Sequence, residues 1–261
     1  MNISLSGKKA IVCGSSQGIG KAIAIELAES GASCILLARN EKSLQQALSE
    51  LAVDEAQQHA YYAVDFSDIE TLKKILKTIC NNHHIDILIN NTGGPSAGPI
   101  SLADTKEFEA AFQHHLICNH ILAQAVIPGM KEKGWGRIIN VISTSVRIPL
   151  DHLGVSNTIR AAVASWAKTM SNELAQFGIT VNSLLPGFIA TSRLDAVAKS
   201  FADREQVTQQ EMEERMKRSV PAKRFGAPVE IAAVAAFLCS HAASYVNGVA
   251  IPVDGGRTGT I

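Results

Sequence analysis

The sequence predicts an α/β fold: a single-domain, doubly wound parallel sheet of about seven strands with helices on both faces. Short apolar runs alternate along the chain with longer segments of helical pattern. These runs are continuously apolar, which is typical of strands that are covered on both faces. Right-handed crossovers then favour the doubly wound arrangement, with ligands at the carboxyl ends of the strands. The predicted strands are 9–13, 34–38, 60–64, 85–89, 137–142, 179–185 and 249–252, and the predicted helices are 19–30, 41–54, 69–81, 105–131, 153–177 and 228–240.

Length, charge and cysteine use narrow the class of protein. The chain has 261 residues, and we expect one domain, 1–261. Its formal net charge is zero, which argues against nucleic acid or an anionic membrane as a partner, because both attract a basic face. No apolar run approaches the roughly 20 residues that cross a bilayer, and the first residues lack the regions of a signal peptide. The five cysteines show no CxxC spacing, so we expect reduced thiols in a cytoplasmic protein.

A glycine-rich turn follows the first predicted strand at residues 14–20, which read GSSQGIG. Glycine permits a tight turn and lets backbone N–H groups approach a phosphate, and the helix that begins here adds partial positive charge. A strand before the turn and a helix after it are the context that a pyrophosphate site requires. The turn therefore predicts a nucleotide site, whose candidate residues are Gly14, Ser15, Ser16, Gln17, Gly18 and Ile19.

The segment 192–224 differs from the rest of the chain because it is rich in charged residues. It lies between a predicted strand and the last long predicted helix, where a substrate lid would sit. A solvated amphipathic helix with no gating role would produce the same pattern. The sequence leaves both interpretations open.

Several further motifs are spread along the chain in a fixed order. They are NNTG at 90–93, GRIIN at 136–140, GITVN at 178–182, PGFIAT at 186–191, RFG at 224–226 and VDGG at 253–256. Together with the turn at 14–20, they resemble the short-chain dehydrogenase/reductase family, in particular its 3-oxoacyl-carrier-protein reductases. The resemblance covers nearly the whole chain and implies a Rossmann fold, a nicotinamide dinucleotide and a small-molecule carbonyl substrate.

A homotetramer or homodimer is also implied by the resemblance, formed through the predicted helices 105–131 and 153–177 and the C-terminal segment. Small residues in the second of these helices would allow close packing between subunits. Burial within one subunit explains those residues nearly as well.

The same resemblance implies cofactor roles for individual residues. Asp65 would accept a hydrogen bond from the adenine amino group, with Phe66 beside it, although Asp65 could instead cap the helix near Asp68. Asn91 and Gly93 would line the cofactor ribose. The nicotinamide carboxamide would be held by Pro186, Gly187, Ile189 and Thr191, unless the first two of these form only a turn.

The end of the second predicted strand discriminates between NADP and NAD. A carboxylate there would bind the ribose 2′-hydroxyl, whereas an arginine accommodates a 2′-phosphate. This chain has Arg39 at that point and no acid until Glu41. Arginine can donate two hydrogen bonds to a phosphate, so NADP(H) is favoured and NAD(H) remains possible. A solvent-facing Arg39 that contacts nothing is the alternative.

The chain departs from the family at the catalytic residues, which are Asn, Ser, Tyr and Lys in the family. Ser143 falls where the serine belongs. Counting from either side places Ser156 at the tyrosine position, and Arg160 stands at the lysine position four residues later. The asparagine position is His115, with Asn119 one helical turn further on. Only the serine of the catalytic set is retained.

These replacements change how a proton could reach a reduced carbonyl. A serine hydroxyl has a pKa of roughly 15, against about 10 for a phenol, so Ser156 is a poor acid that could orient substrate or water. Arg160 could bond the nicotinamide ribose and place positive charge near a developing oxyanion. His115 and His152 are candidate proton donors, since histidine titrates near neutrality, although both could be ordinary helix or loop histidines.

Two functions of different class are consistent with this pattern. The first is an NADPH-dependent reductase of a carbonyl, with a 3-oxoacyl thioester as the substrate that the resemblance suggests and with atypical proton delivery. The second is a catalytically weak or silent NADP(H)-binding protein that acts as a sensor or assembly partner. A reaction other than carbonyl reduction is also open. The histidines show no metal-ligand spacing, so no metal site is expected.

Overall fold

A computed structural model describes residues 3–260, so residues 1, 2 and 261 of the predicted domain lie outside the described part. The strands are β1 (Lys9–Cys13), β2 (Ser33–Ala38), β3 (Ala60–Ala63), β4 (Ile87–Asn90), β5 (Gly136–Val141), β6 (Ile179–Pro186) and β7 (Ala250–Val253). They pair in parallel in the order β3-β2-β1-β4-β5-β6-β7. This is the doubly wound Rossmann arrangement, so the predicted fold class is confirmed.

The helices connect successive strands and cover the sheet. They are α1 (Gly18–Glu29), α2 (Glu41–Ser49), α3 (Ile69–Asn82), α4 (Thr105–Phe112), α5 (Cys118–Lys133), α6 (Gly154–Leu174), α7 (Ser192–Glu205), α8 (Gln209–Ser219) and α9 (Pro228–Cys239).

Each face of the sheet has its own hydrophobic core. Alternate residues of a strand point to opposite faces, so Val12 of β1 packs on one side and Ile11 on the other. The first core includes apolar side chains of α1, α2 and α9, and the second includes those of α3, α5 and α6. Burial on both faces explains why the central strands are continuously apolar.

Two predicted helices differ from the structure by more than the one to three residues by which the ends of the others differ. The helix predicted over 41–54 ends at Ser49, because the chain turns there and buries Leu51 in the core. The helix predicted over 105–131 is divided into α4 and α5 by a π-helical turn, Gln113–Ile117. Such turns often occur at functional sites, because the extra residue changes the direction of the neighbouring side chains.

The strand order sets the position of a crevice. From β1 the chain moves outward to β2 and β3, and β4 then returns to pair with the other side of β1. The connections after β1 and β4 therefore leave in opposite directions and open a gap at their carboxyl ends. Ligands bind at this switch point in open α/β sheets.

Within residues 3–260, no helix combines the length and the apolar character that a bilayer crossing requires.

Candidate active site

A cavity of about 840 Å³ opens at the carboxyl ends of the central strands. Of the residues proposed from the sequence, Ser15, Asp65 and His152 do not line it. The predicted residues that do line it are Gly14, Ser16, Gln17, Gly18, Ile19, Arg39, Phe66, Asn91, Gly93, His115, Ser143, Ser156, Arg160, Pro186, Gly187, Ile189 and Thr191. The fold therefore brings the predicted cofactor-binding residues and the predicted catalytic residues into one cleft.

The glycine-rich turn is packed tightly against the segment after β4. Gly14 has a φ of +60°, and a Cβ there would collide with the carbonyl oxygen of Asn91. A Cβ on Gly20 would collide with the carbonyl oxygen of Gly14. The Asn91 side chain donates hydrogen bonds of 3.3 Å to the carbonyl oxygens of Cys13 and Gly14. Asn91 thus holds the turn in place, and the glycines are required by close backbone contact.

The amino end of α1 points its amides into the cavity region. The amide of Lys21 donates to the Gln17 carbonyl at 3.3 Å, so the amides before it have no partner within the helix. The first turn of α1 contains no acidic residue that would compete for them. Unpaired amides and the helix dipole favour an anion, so this turn fits the pyrophosphate of a dinucleotide.

The end of β2 presents a cation and no competing acid. Arg39 is exposed at the cavity edge. Glu41, the next acid in the chain, accepts a hydrogen bond of 3.2 Å from the Tyr61 hydroxyl and does not line the cavity. This charge arrangement fits a 2′-phosphate better than a ribose hydroxyl.

Asp65 and Ser15 lie close to the cavity without lining it. The Asp65 Oδ1 atom accepts hydrogen bonds from the amide and the hydroxyl of Ser67, and these bonds lower the pKa of Asp65. The cap of α3 is Asp68, which accepts from the Thr71 amide, so the capping alternative for Asp65 is wrong. Ser15 is fully buried, and its hydroxyl has no partner among the described residues.

Two serines stand where the cavity would receive the reacting group. Ser143 follows β5 and accepts a hydrogen bond of 3.1 Å from the Ser145 amide. Ser156 lies in the first turn of α6 and is half-buried. The three tyrosines of the chain are Tyr61, Tyr62 and Tyr245, and none of them lines the cavity. No phenol is therefore available there as an acid.

Arg160 is a cation that the structure holds by backbone carbonyls. Its guanidinium donates to the Val141 carbonyl at 2.9 Å and to the Thr92 carbonyl at 3.4 Å. Burial, together with repulsion from Arg193, lowers the pKa of Arg160 to about 10. The side chain is still charged at neutral pH, so it can stabilise negative charge in the cavity.

His115 lies in the π-helical turn and is 2% exposed. Its Nδ1 atom is 2.5 Å from the Thr92 hydroxyl oxygen. Burial, followed by repulsion from Arg160, lowers the pKa of His115 to about 2. The expectation that this histidine titrates near neutrality is therefore wrong, and it is a neutral hydrogen-bonding group. His152 is exposed and does not line the cavity.

The burial of His115 predicts a loss of stability in mild acid. The pKa of this histidine is about 2 in the folded protein and about 6.5 in an unfolded chain, so protonation below pH 6.5 favours unfolding. Between pH 7 and pH 5 this residue should lower the free energy of unfolding by about 2 kcal/mol. Urea unfolding of His115→Asn at both pH values should show a pH dependence smaller by that amount. His152→Asn, at an exposed site, is the matched control, and an unchanged pH dependence in His115→Asn would contradict this account.

Sequence reasoning missed two arginines that line the cavity. Arg193 stands in the first turn of α7, and Arg257 comes from the segment after β7. Arg193 belongs to the charged segment 192–224, but composition could not show that it faces the cleft. The structure places α7 in the cavity wall with Ser192, Arg193, Leu194 and Val197, and the function of the segment as a lid stays a prediction.

Comparisons with known proteins agree with this geometry. Residues 14–258 match the family model described as Enoyl-(Acyl carrier protein) reductase. The NADPH-dependent reductase BacG of Bacillus subtilis (strain 168) is 32% identical over 259 residues, which span 98% of this chain and 100% of BacG. The 3-oxoacyl-[acyl-carrier-protein] reductase FabG of Vibrio cholerae is 35% identical over 97% of this chain and 98% of FabG. L-sorbose reductase from Gluconobacter frateurii, solved with NADPH and L-sorbose, superposes with a TM-score of 0.93 at 32% identity, over 100% of both chains.

Proposed function

Because this chain belongs to the short-chain dehydrogenase/reductase family, we propose that it is an NADPH-dependent reductase of a small carbonyl compound. The observation that carries the proposal is the convergence of the glycine-rich turn, the loop after β6, Ser143 and Arg160 in one cavity. The same cavity therefore contains the residues that would hold a nicotinamide and the side chains that would contact the carbonyl. BacG and FabG are reductases by name, which supports the same class of reaction.

The residues present fit NADPH, which supplies the hydride for the reduction when it is bound. The unpaired amides at the start of α1 would hold the pyrophosphate, and Arg39 would bind the 2′-phosphate. Asp65 retains a carboxylate oxygen, Oδ2, that could accept from adenine. The carboxamide would contact the backbone of the loop after β6, which contains Pro186, Gly187, Ile189 and Thr191.

Proton delivery in this proposal does not use a side-chain acid. Arg160 would stabilise the negative charge that develops on the carbonyl oxygen, and Ser143 and Ser156 would orient that oxygen by hydrogen bonding. His115 is neutral and contacts Thr92, so it would hold the cavity wall and not donate as an imidazolium. Water that enters the open cavity would then supply the proton.

The names of the relatives favour one substrate class, and the surface of this chain favours an oligomer. FabG acts on 3-oxoacyl chains by its name, so a 3-oxoacyl thioester is the substrate class that the relatives favour. A homotetramer or homodimer is supported by exposed apolar side chains at Phe112 and Ile117, beside α4 and α5, and at Val249 next to β7. Covering these side chains would remove apolar surface from water.

The absence of a tyrosine from the cavity favours a second candidate function. A protein with the complete nucleotide half of the site and no acid could bind NADP(H) with little turnover. It would then act through binding, as a sensor or an assembly partner.

The proposed reductase is tested by the loss of NADPH absorbance at 340 nm with a panel of ketones, 3-oxo acids and 3-oxoacyl thioesters. We expect turnover with at least one of them, and slower turnover with NADH, because Arg39 has no phosphate to bind there. NADPH binding is measured in parallel by titration calorimetry. Binding without turnover on the whole panel would favour the second candidate, and no binding of either coenzyme would contradict both.

A further inference from the structure

Two arginines from distant parts of the chain converge on one point of the cavity wall. The Nη2 atoms of Arg160 and Arg193 each lie 3.4 Å from the position that a Cβ on Gly94 would occupy. Arg160 comes from α6, whereas Arg193 comes from the start of α7 and donates to the Pro95 carbonyl at 2.5 Å. The absence of a side chain at Gly94 leaves both guanidiniums free to approach the same space.

A third arginine lines the same cavity. The guanidinium of Arg257 lies 4.2 Å from the centre of the Phe188 ring, and its Nε atom is buried with no partner among the described residues. The nearby carboxylate of Asp254 accepts hydrogen bonds from the amides of Gly256 and Thr258. A donor of Arg257 is therefore left over in the cavity.

Within residues 3–260, the protein's own acids leave Arg160 and Arg193 without a counter-charge, whereas the carboxylate of Asp254 interacts with Arg257. None of the ion pairs among the described residues includes Arg160, Arg193 or Arg257. Glu107 is the acidic residue in the cavity lining, and it is exposed and caps α4 by accepting from the Asp104 amide. His114 and His115 also face this region and add no negative charge. Cations held together without a counter-charge are unfavourable unless a ligand supplies it.

We propose that the substrate carries a carboxylate close to the carbonyl that is reduced, and that Arg160 and Arg193 bind this carboxylate, with Arg257 facing it from the C-terminal side of the cavity. The proposal rests on the reductase function, and within it the arginines favour small oxo acids over the 3-oxoacyl thioesters that the names of the relatives suggest. Hydride would pass from NADPH to the carbonyl carbon and a proton from water to the oxygen, which gives a hydroxy acid, NADP⁺ and a hydroxide ion that protons of the buffer neutralise.

A carboxylate on the reacting molecule explains the arginines better than two other anions. The cofactor pyrophosphate has its own donors at the start of α1, where the Lys21 amide begins the helical pairing. The phosphate of a carrier-protein arm lies at the far end of that arm from the thioester carbonyl, whereas Arg160 lines the same cavity as Ser143, the candidate catalytic serine. Planar guanidiniums also match the two oxygens of a carboxylate.

The test compares three substrates that share one oxo group: acetoacetate, its methyl ester and its N-acetylcysteamine thioester. With saturating NADPH, we expect kcat/KM for acetoacetate to exceed those for both neutral compounds at least tenfold. Arg193→Leu should remove most of this preference by lowering kcat/KM for the acid alone. Arg204→Leu is the matched control, since Arg204 is also on α7 but is exposed outside the cavity.

Binding provides a second readout that does not require turnover. In calorimetry with the NADP⁺ complex, acetoacetate should bind at least tenfold more tightly than its methyl ester, and this difference should disappear in Arg193→Leu. If the difference in binding appears without any turnover, the binding of a carboxylate by these arginines holds and the reductase proposal fails. Equal kcat/KM and equal binding for acid and ester would overturn the inference. It would also be overturned if Arg193→Leu weakened NADPH binding and left the preference for the acid intact.

Discussion

Replacing Arg160 with methionine is expected to lower kcat/KM for NADPH-dependent reduction on the order of 10³-fold. The guanidinium lines the same cavity as Ser143, and the backbone carbonyls of Val141 and Thr92 fix its position. Methionine has a similar length and fills the same space without charge. Since no phenol lines the cavity, the loss of this cation would leave a developing oxyanion with only hydroxyl donors.

The measurement for Arg160→Met is steady-state kinetics on the best substrate of the panel. Arg160→Lys is the control, because it keeps the positive charge and should retain activity to within about tenfold. Thermal unfolding and NADPH calorimetry on both variants separate a folding defect from a catalytic one. Retention of more than a tenth of wild-type kcat/KM by a folded Arg160→Met protein would show that the cation does not act on the reaction.

Gly20→Ala is expected to raise the dissociation constant for NADPH at least a hundredfold and to lower the free energy of unfolding by about 3 kcal/mol. The added Cβ would meet the Gly14 carbonyl and the Asn91 side chain, and both belong to backbone-fixed parts of the cleft. Relief of the collision must move the turn at 14–20 away from β4. The amides that would hold the pyrophosphate move with it.

This effect is measured by NADPH calorimetry and by urea unfolding. Gly98→Ala is the matched control, since a Cβ at Gly98 has no atom within 4 Å and the residue does not line the cavity. If Gly20→Ala bound NADPH with wild-type affinity, the tight packing of the turn would not be needed for the nucleotide site.

Most of the sheet could be predicted because its signal is local. A strand buried on both faces is mostly apolar, and β1 and β2 therefore stand out as short apolar runs, AIVC and CILLA. The end of α2 could not be predicted in this way. Residues 50–54 continue the helical pattern, and what ends the helix is the burial of Leu51 in the core, a contact with distant residues.

The candidate site likewise contains residues with a local sequence signal and residues whose role depends on contacts with distant parts of the chain. The glycine-rich turn and Ser143 are carried by short motifs, so the sequence was sufficient to propose them. The neutral state of His115 depends on its enclosure in the π-helical turn and on Arg160, 45 positions later in the sequence numbering. The meeting of Arg160, Arg193 and Arg257 likewise depends on three separate elements, and nothing in their local sequence indicates it.

The hairpin formed by α7 and α8 has an apolar cluster of its own. Leu194 and Ala198 of α7 pack with Met212 and Met216 of α8, apart from the two cores of the sheet. Phe188 and Phe225, from the segments before α7 and after α8, pack against the same cluster. The hairpin therefore holds its inward face, which carries Arg193, against the cleft through packing that is separate from both cores of the sheet.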